Sequence, residues 1–181
     1  MRVLGGIALL TIVIWGTAGA VQASDLAVKG VHLCCGQCVS LAKEALTGID
    51  GVSDVNVDRS AKSITLKAAD EKAAKAAIEK LADAGFHGAA TLDTKEIAFP
   101  ESGAKKGDKA KTVVISGVHL CCPACVEGVK TALKDREDIK DQQFDRTART
   151  VTLTGSDVDI VAAIAALNKA GFHGIIKTDK K

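Results

Sequence analysis

The chain has 181 residues, 47% hydrophobic and 25% charged, the make-up of globular material and not of a disordered tail. Its formal charge of +2 leaves no excess of either sign to call for a polyanion. Aromatic residues are 3% with no Tyr, so stacking surfaces for nucleic acid are nearly absent and no nucleic-acid partner is expected.

Arg2 starts the chain with a positive charge, residues 3–15 are apolar, and Val21-Gln22-Ala23 places small residues where a signal peptidase reads. Residues 1–23 are therefore expected to be a signal peptide cut after Ala23, with Ala18-Gly19-Ala20 as a second cut, giving an exported, periplasmic or secreted protein. The competing reading is a retained membrane anchor, because residues 3–21 are uncharged and close to the ~20 needed to span a bilayer.

In the next segment, 24–98, Leu26 and Val28 alternate with polar neighbours up to Gly30 and predict a strand. From Cys38, the apolar positions Leu41, Ala42, Ala45, Leu46 and Ile49 recur at helical spacing. Val55 and Val57, then Ile64 and Leu66, flank Asp58-Arg59-Ser60-Ala61 as a hairpin. Residues 70–84 predict a second helix with Ala74, Ile78, Leu81 and Ala82 inward, and residues 86–92 a last strand. Residues 99–110, with Pro100, Gly103 and Gly107 among Lys and Glu, read as a flexible linker. The segment 111–181 repeats the order: Val113 and Ile115 in a strand, Val126, Val129, Ala132 and Leu133 in a helix, Phe144, Val151 and Leu153 in a hairpin. A helix with Val161, Ile164 and Leu167 follows, and Ser156 is expected to cap it. The order βαββαβ predicts an α+β fold, two ferredoxin-like sandwiches in tandem, each with both helices on one face of an antiparallel sheet.

The two segments also match in identity. Gly30-Val31-His32-Leu33-Cys34-Cys35-Gly36-Gln37-Cys38-Val39 returns 87 residues on as Gly117-Val118-His119-Leu120-Cys121-Cys122-Pro123-Ala124-Cys125-Val126, and Ala84-Gly85-Phe86-His87-Gly88 returns 86 on as Ala170-Gly171-Phe172-His173-Gly174. This is a duplicated domain. Elsewhere the copies share pattern more than identity, as a packed core requires only apolar residues of suitable size. Identity held in these two blocks points to a site.

All six cysteines lie in the two short groups. Such grouping cannot staple distant loops, although exported chains often carry disulfide frameworks; it makes local sites. Each Cys-x-x-Cys straddles a strand-to-helix junction. Free backbone N–H groups and the helix dipole there favour negative charge and lower thiol pKa. Pro123 suits a first helical turn, where its missing N–H costs nothing. Two thiolates at this spacing suit a soft ion such as Cu(I), and thiolates also serve Zn(II).

A βαββαβ module with Cys-x-x-Cys at the start of its first helix and Ala-Gly-Phe before its last strand resembles the heavy-metal-associated domain. That family includes copper chaperones, the N-terminal modules of copper-pumping ATPases and an exported mercury-binding protein. The resemblance implies metal thiolates at Cys35 and Cys38, then Cys122 and Cys125, with Phe86 and Phe172 beside the metal. It also implies a metal-ion cargo, Cu(I) favoured over Hg(II) or Zn(II), and a membrane metal transporter or another metal-binding protein as partner. The chain departs from the family pattern: Leu33 and Leu120 stand where Met is usual, and the loop from Gly30 to Cys35 is two residues longer. Cys34 and Cys121 precede the first ligand, either as further ligands, as small apolar fillers or in a local disulfide. His32 and His119 before the cysteines, and His87 and His173 after the Phe, are ordinary loop histidines or further ligands; three or four N/S ligands would suit tetrahedral Zn(II).

Two other functions compete with metal binding. An extracytoplasmic thiol–disulfide oxidoreductase would use Cys-Pro-Ala-Cys at a helix start, but the strand order is wrong for a thioredoxin fold and no Pro lies near the last strand. A structural interaction module would hold its cysteines oxidised. No Ser/His/Asp arrangement, phosphate loop or acidic pair points to hydrolysis, so the chain is not expected to be an enzyme.

Overall fold

A computed structural model of the protein describes residues 23–176; the expected signal segment, up to Gln22, lies outside the described residues. The first repeat comprises β1 (Ser24–Lys29), α1 (Gly36–Leu46), β2 (Val52–Asp58), β3 (Ser63–Ala68), α2 (Glu71–Asp83), β4 (Ala89–Leu92) and β5 (Lys95–Ile97). The second comprises β6 (Lys109–Ser116), α3 (Pro123–Leu133), β7 (Ile139–Asp145), β8 (Thr150–Asp159), α4 (Ile160–Lys169) and β9 (Ile175–Ile176).

Each repeat is a ferredoxin-like βαββαβ sandwich. The sheets run β2-β3-β1-β4-β5 and β7-β8-β6-β9, antiparallel throughout. Alternation fixes the register. Leu26 pairs with Leu66 and Val28 with Ile64, as Val113 pairs with Leu153 and Ile115 with Val151, so one face of each sheet is apolar and covered. Ala42, Leu46, Ala74, Ile78 and Leu81 cover the first; Val129, Leu133, Ala163, Ile164 and Leu167 cover the second. Among the described residues no helix is long and apolar enough to cross a membrane.

Three local features differ from the sequence expectation. The last strand of the first repeat begins at Ala89 and not at Phe86, because Phe86 pairs instead with Phe172 in an isolated antiparallel bridge. After Leu92 the chain turns through Asp93 (φ 53°) and adds β5 along the outer edge of β4. Ser156 does not cap α4. It is exposed within β8, which runs on to Asp159 because Lys109 and Ala110 of β6 pair with Asp159 and Val158. Asp159 is the cap, its Oδ1 accepting the Ala162 N–H at 3.0 Å.

The repeats are packed against each other. His87 N–H donates to Gly171 O at 3.0 Å and His173 N–H to Gly85 O at 2.8 Å, with His32 N–H also reaching Gly171 O at 3.3 Å. Arg149 of the second repeat donates to Asp83 O of the first at 2.9 Å. The connecting segment is held at three points: the Phe99 ring stacks on His87 at 4.5 Å, Ser102 O accepts the Ile176 N–H at 2.8 Å, and Asp108 O accepts the Ile160 N–H at 3.1 Å. This docking brings the two cysteine loops together.

Candidate metal centre

After Gly30 turns the chain (φ 78°), Val31 and Leu33 bury their side chains, leaving His32 and Cys34 on the other side of the extended loop. Cys35 is the N-cap of α1, extended at φ −147°, and its thiol makes no capping hydrogen bond. Cys38, one turn in, is fully buried. The second repeat copies this arrangement: Cys122 is the N-cap of α3 at φ −145°, Pro123 opens the helix, and Cys125 is fully buried. Neither helix has an acidic residue in its first turn. The thiols therefore meet the unpaired N–H groups and the positive end of the dipole without a competing carboxylate.

The six cysteines are free thiols, and they form one cluster. Within each Cys-x-x-Cys the sulfurs stand 3.6 Å apart, Cys35 to Cys38 and Cys122 to Cys125. Cys34 Sγ lies 3.5 Å from Cys38 and Cys121 Sγ 3.6 Å from Cys125. Contacts between repeats are equally short: Cys34 is 3.5 Å from Cys122 and 3.6 Å from Cys125, and Cys38 is 3.6 Å from Cys121. Cys34 and Cys121 thus sit between the two Cys-x-x-Cys pairs and touch both.

So many thiols in one place cannot all ionise. The hydrogen bond from Cys125 holds the Cys38 thiol far below its usual range, against the opposing effect of burial. Cys125 is pushed up by that same contact and by burial. Burial raises Cys34 and Cys121. At Cys122 burial opposes ionisation but is outweighed by the Cys125 N–H and the neighbouring thiols, which lower it to about 7. The cluster thus favours ionisation at Cys38 and Cys122 and opposes it at Cys34, Cys121 and Cys125, and a metal ion bound there would displace thiol protons.

The four histidines divide into two pairs. His119 is 2% exposed; a ring nitrogen lies within 4.8 Å of the sulfurs of Cys38, Cys121 and Cys125. His32 stands in the same relation to Cys34 and Cys125, and burial lowers its pKa. Each imidazole packs on the other repeat's phenylalanine, His32 on Phe172 and Phe86 on His119, both with ring centroids 4.2 Å apart. Phe86 and Phe172 are fully buried and act here as packing for the ligand-bearing loops. His87 and His173 are not brought to the thiols. They stack on each other at 5.9 Å, with planes 5° apart, beside Phe99. Burial and then the neighbouring His173 lower the His87 pKa to about 4, and burial lowers His173.

Two arginines belong to the site although the sequence reading passed over them. Arg146 donates to Leu120 O at 3.2 Å and Cys121 O at 2.7 Å, and Arg149 to Gly117 O at 2.6 Å. Both fix the second cysteine loop, and with Cys121, His119, Gln37 and Leu41 they border a cleft of about 250 Å³ that opens onto the cluster. A signal was present for one of them. Asp58-Arg59 returns as Asp145-Arg146 at the same offset of 87 as the cysteine block.

Residues 25–87 match the family model described as "Heavy-metal-associated domain". The match spans most of the first repeat, and the second repeat carries the same fold and the same cysteine block. A search of solved structures returns the solution structure of the N-terminal soluble domains of Bacillus subtilis CopA, 16% identical, covering 87% of this chain and 96% of that one, with a TM-score of 0.34. No curated protein matches.

Proposed function

We propose that this tandem heavy-metal-associated protein is exported, captures a soft metal ion outside the cytoplasm and passes it to another thiol-bearing protein, such as a membrane metal transporter. Cu(I) is the favoured cargo, with Hg(II) or Zn(II) as alternatives. The observation that carries this reading is the placing of the Cys-x-x-Cys thiols in both repeats. The sulfur pairs are 3.6 Å apart at helix N-termini, free of carboxylate competitors, and the first pair lies inside the segment that matches the heavy-metal family. Soft thiolates select soft d¹⁰ cations over the hard ions preferred by oxygen ligands.

Transfer needs ligands that can be exchanged. Cys35 and Cys122 are the partly exposed members of their pairs, while Cys38 and Cys125 are buried. An acceptor thiolate therefore attacks from the Cys35 and Cys122 side, adding to the ion before a cluster thiolate leaves. The helix N-termini stabilise whichever cluster thiolate is released. Export rests on the small-residue ending of the N-terminal apolar segment.

Native mass spectrometry of the reduced mature protein, offered Cu(I), Zn(II) and Hg(II) in competition, tests the reading. Bound ion that disappears when Cys35, Cys38, Cys122 and Cys125 are all replaced by Ser is the expected result. Undiminished binding in that variant, or none in the wild type, overturns it. N-terminal sequencing of protein from the periplasm or medium tests export, with Ser24 as the expected first residue.

A further inference from the structure

We propose that the two repeats do not carry separate metal sites but share one two-ion thiolate centre, a deepening that rests on the soft-metal reading above. Cys38, Cys121, Cys125 and His119 hold one ion, and Cys34, Cys35 and Cys122 hold the other. Each set draws ligands from both repeats, and no ligand is used twice.

Distance allows the grouping, and the requirement that no ligand be shared selects it, since a third set, His32, Cys34 and Cys125, would take one thiol from each. The donor atoms of Cys38, His119, Cys121 and Cys125 lie within 4.8 Å of one another, as do those of Cys34, Cys35 and Cys122. Spacing then decides the coordination number. With a metal–thiolate bond of about 2.3 Å, neighbouring sulfurs stand about 3.8 Å apart around a tetrahedral ion, about 4.0 Å around a trigonal one and about 4.6 Å across a linear one. Cys38 is 3.6 Å from Cys121 and 4.0 Å from Cys125, with Cys121 to Cys125 at 3.6 Å. Cys34 to Cys122 and Cys35 to Cys122 are 3.5 and 3.9 Å. These are the edges of three- and four-coordinate sites. A two-thiolate linear ion in each repeat would need the 3.6 Å Cys-x-x-Cys pairs to open by about an ångström.

His119 gives an independent indication. It is 2% exposed, and its Nε2 is buried with no hydrogen-bond partner. A buried polar atom left unpaired is costly, and a ring nitrogen of this imidazole lies within 4.8 Å of the sulfurs of Cys38, Cys121 and Cys125, where a metal ion would give the ring a partner. Three thiolates and one imidazole form a tetrahedral donor set known for closed sites. Cys34 joins the two halves, its sulfur 3.5 Å from Cys38 and 3.6 Å from Cys125.

The consequence is cooperation between repeats. The backbone bridge at Phe86 and Phe172 holds both loops in place before any ion arrives, so the ligands of the second repeat act at high effective concentration on an ion held by the first.

NMR of the full mature chain loaded with NMR-active cadmium(II) tests this, because proton–cadmium couplings identify which cysteine β-protons belong to each ion. Two cadmium resonances are expected, one coupled to Cys38, Cys121 and Cys125, the other to Cys34, Cys35 and Cys122. His119→Gln should move the first resonance and leave the second in place. One resonance coupled only to Cys35 and Cys38 and the other only to Cys122 and Cys125 would overturn the shared centre while leaving soft-metal binding intact. Failure of the wild-type chain to bind cadmium would sink both.

Discussion

Phe86 and Phe172 face each other as partners in an antiparallel bridge between the repeats, and the residue after each donates its N–H to the residue before the other. Both rings are fully buried, and each packs on the histidine that precedes the other repeat's cysteines. The contact that joins the repeats is thus also the floor of the cysteine cluster.

Truncating either ring removes that floor. Phe86→Ala should lower stability by about 3–5 kcal/mol, measured as a drop in the urea midpoint. Metal affinity should fall with it, since the His119-bearing loop loses the ring it rests on. An unchanged midpoint would contradict the packing.

The glycines before the phenylalanines allow the approach. Gly85 and Gly171 have φ of +86° and +87°, a region that costs an L side chain energy. A Cβ on Gly85 would collide with Gly117 O and His119 N, and one on Gly171 with His32 N and Gly30 O. Gly85→Ala should therefore undock the repeats without unfolding either. Faster amide exchange at His173, whose N–H bonds to Gly85 O, with protection kept in β1 and β3, is the expected signature.

Acid should weaken the fold before any carboxylate titrates. His87 is held neutral, its pKa lowered from 6.5 to about 4 by burial and by His173. A histidine with a depressed native pKa leaves the unfolded state binding more protons between those values, so stability rises with pH in that window. The His87 contribution is then full above pH 6.5 and is lost as pH falls toward 4. His32 and His173, also lowered, act with the same sign. Urea midpoints of the metal-free protein should fall from pH 7 to pH 5, and His87→Phe should flatten that slope.

Arg146 should matter to metal and little to folding. It is exposed yet ties down Leu120 O and Cys121 O. Groups that orient ligands from outside typically contribute 10- to 100-fold in affinity. Arg146→Gln should weaken metal binding about 10-fold in chelator competition and leave the urea midpoint nearly unchanged.

A paired substitution locates the cap of α4. Asp159→Ala should cost about 1 kcal/mol, while Ser156→Ala should stay within about 0.5 kcal/mol of wild type.

The reason Ser156 misleads shows what a sequence can reveal. Capping residues are local signals, but here the helix start is set by how far β8 continues, and that depends on Lys109 and Ala110 some fifty positions earlier. Elements whose signal is their own periodicity, such as Leu26/Val28 with Ile64/Leu66, were legible to within a residue or two. So were the Cys-x-x-Cys positions at the helix starts, because the chemistry of a helix N-terminus is local. The merging of the six thiols was not legible. It depends on backbone hydrogen bonds from His87 and His173 to glycine carbonyls, which leave no pattern of side-chain polarity. For the same reason His87 and His119 looked alike in sequence, although one faces another imidazole and the other faces sulfur.

The reciprocity of the inter-repeat contact has a further meaning. Where His32 meets Phe172, His119 meets Phe86; where Gly171 meets the His32 loop, Gly85 meets the His119 loop. This is the self-complementarity of an isologous dimer, in which one patch serves both partners. The chain has the form of a homodimer whose subunits have been fused. Fusion removes the concentration dependence of assembly and frees the halves to specialise, as Arg149 has done where the first repeat keeps Lys62.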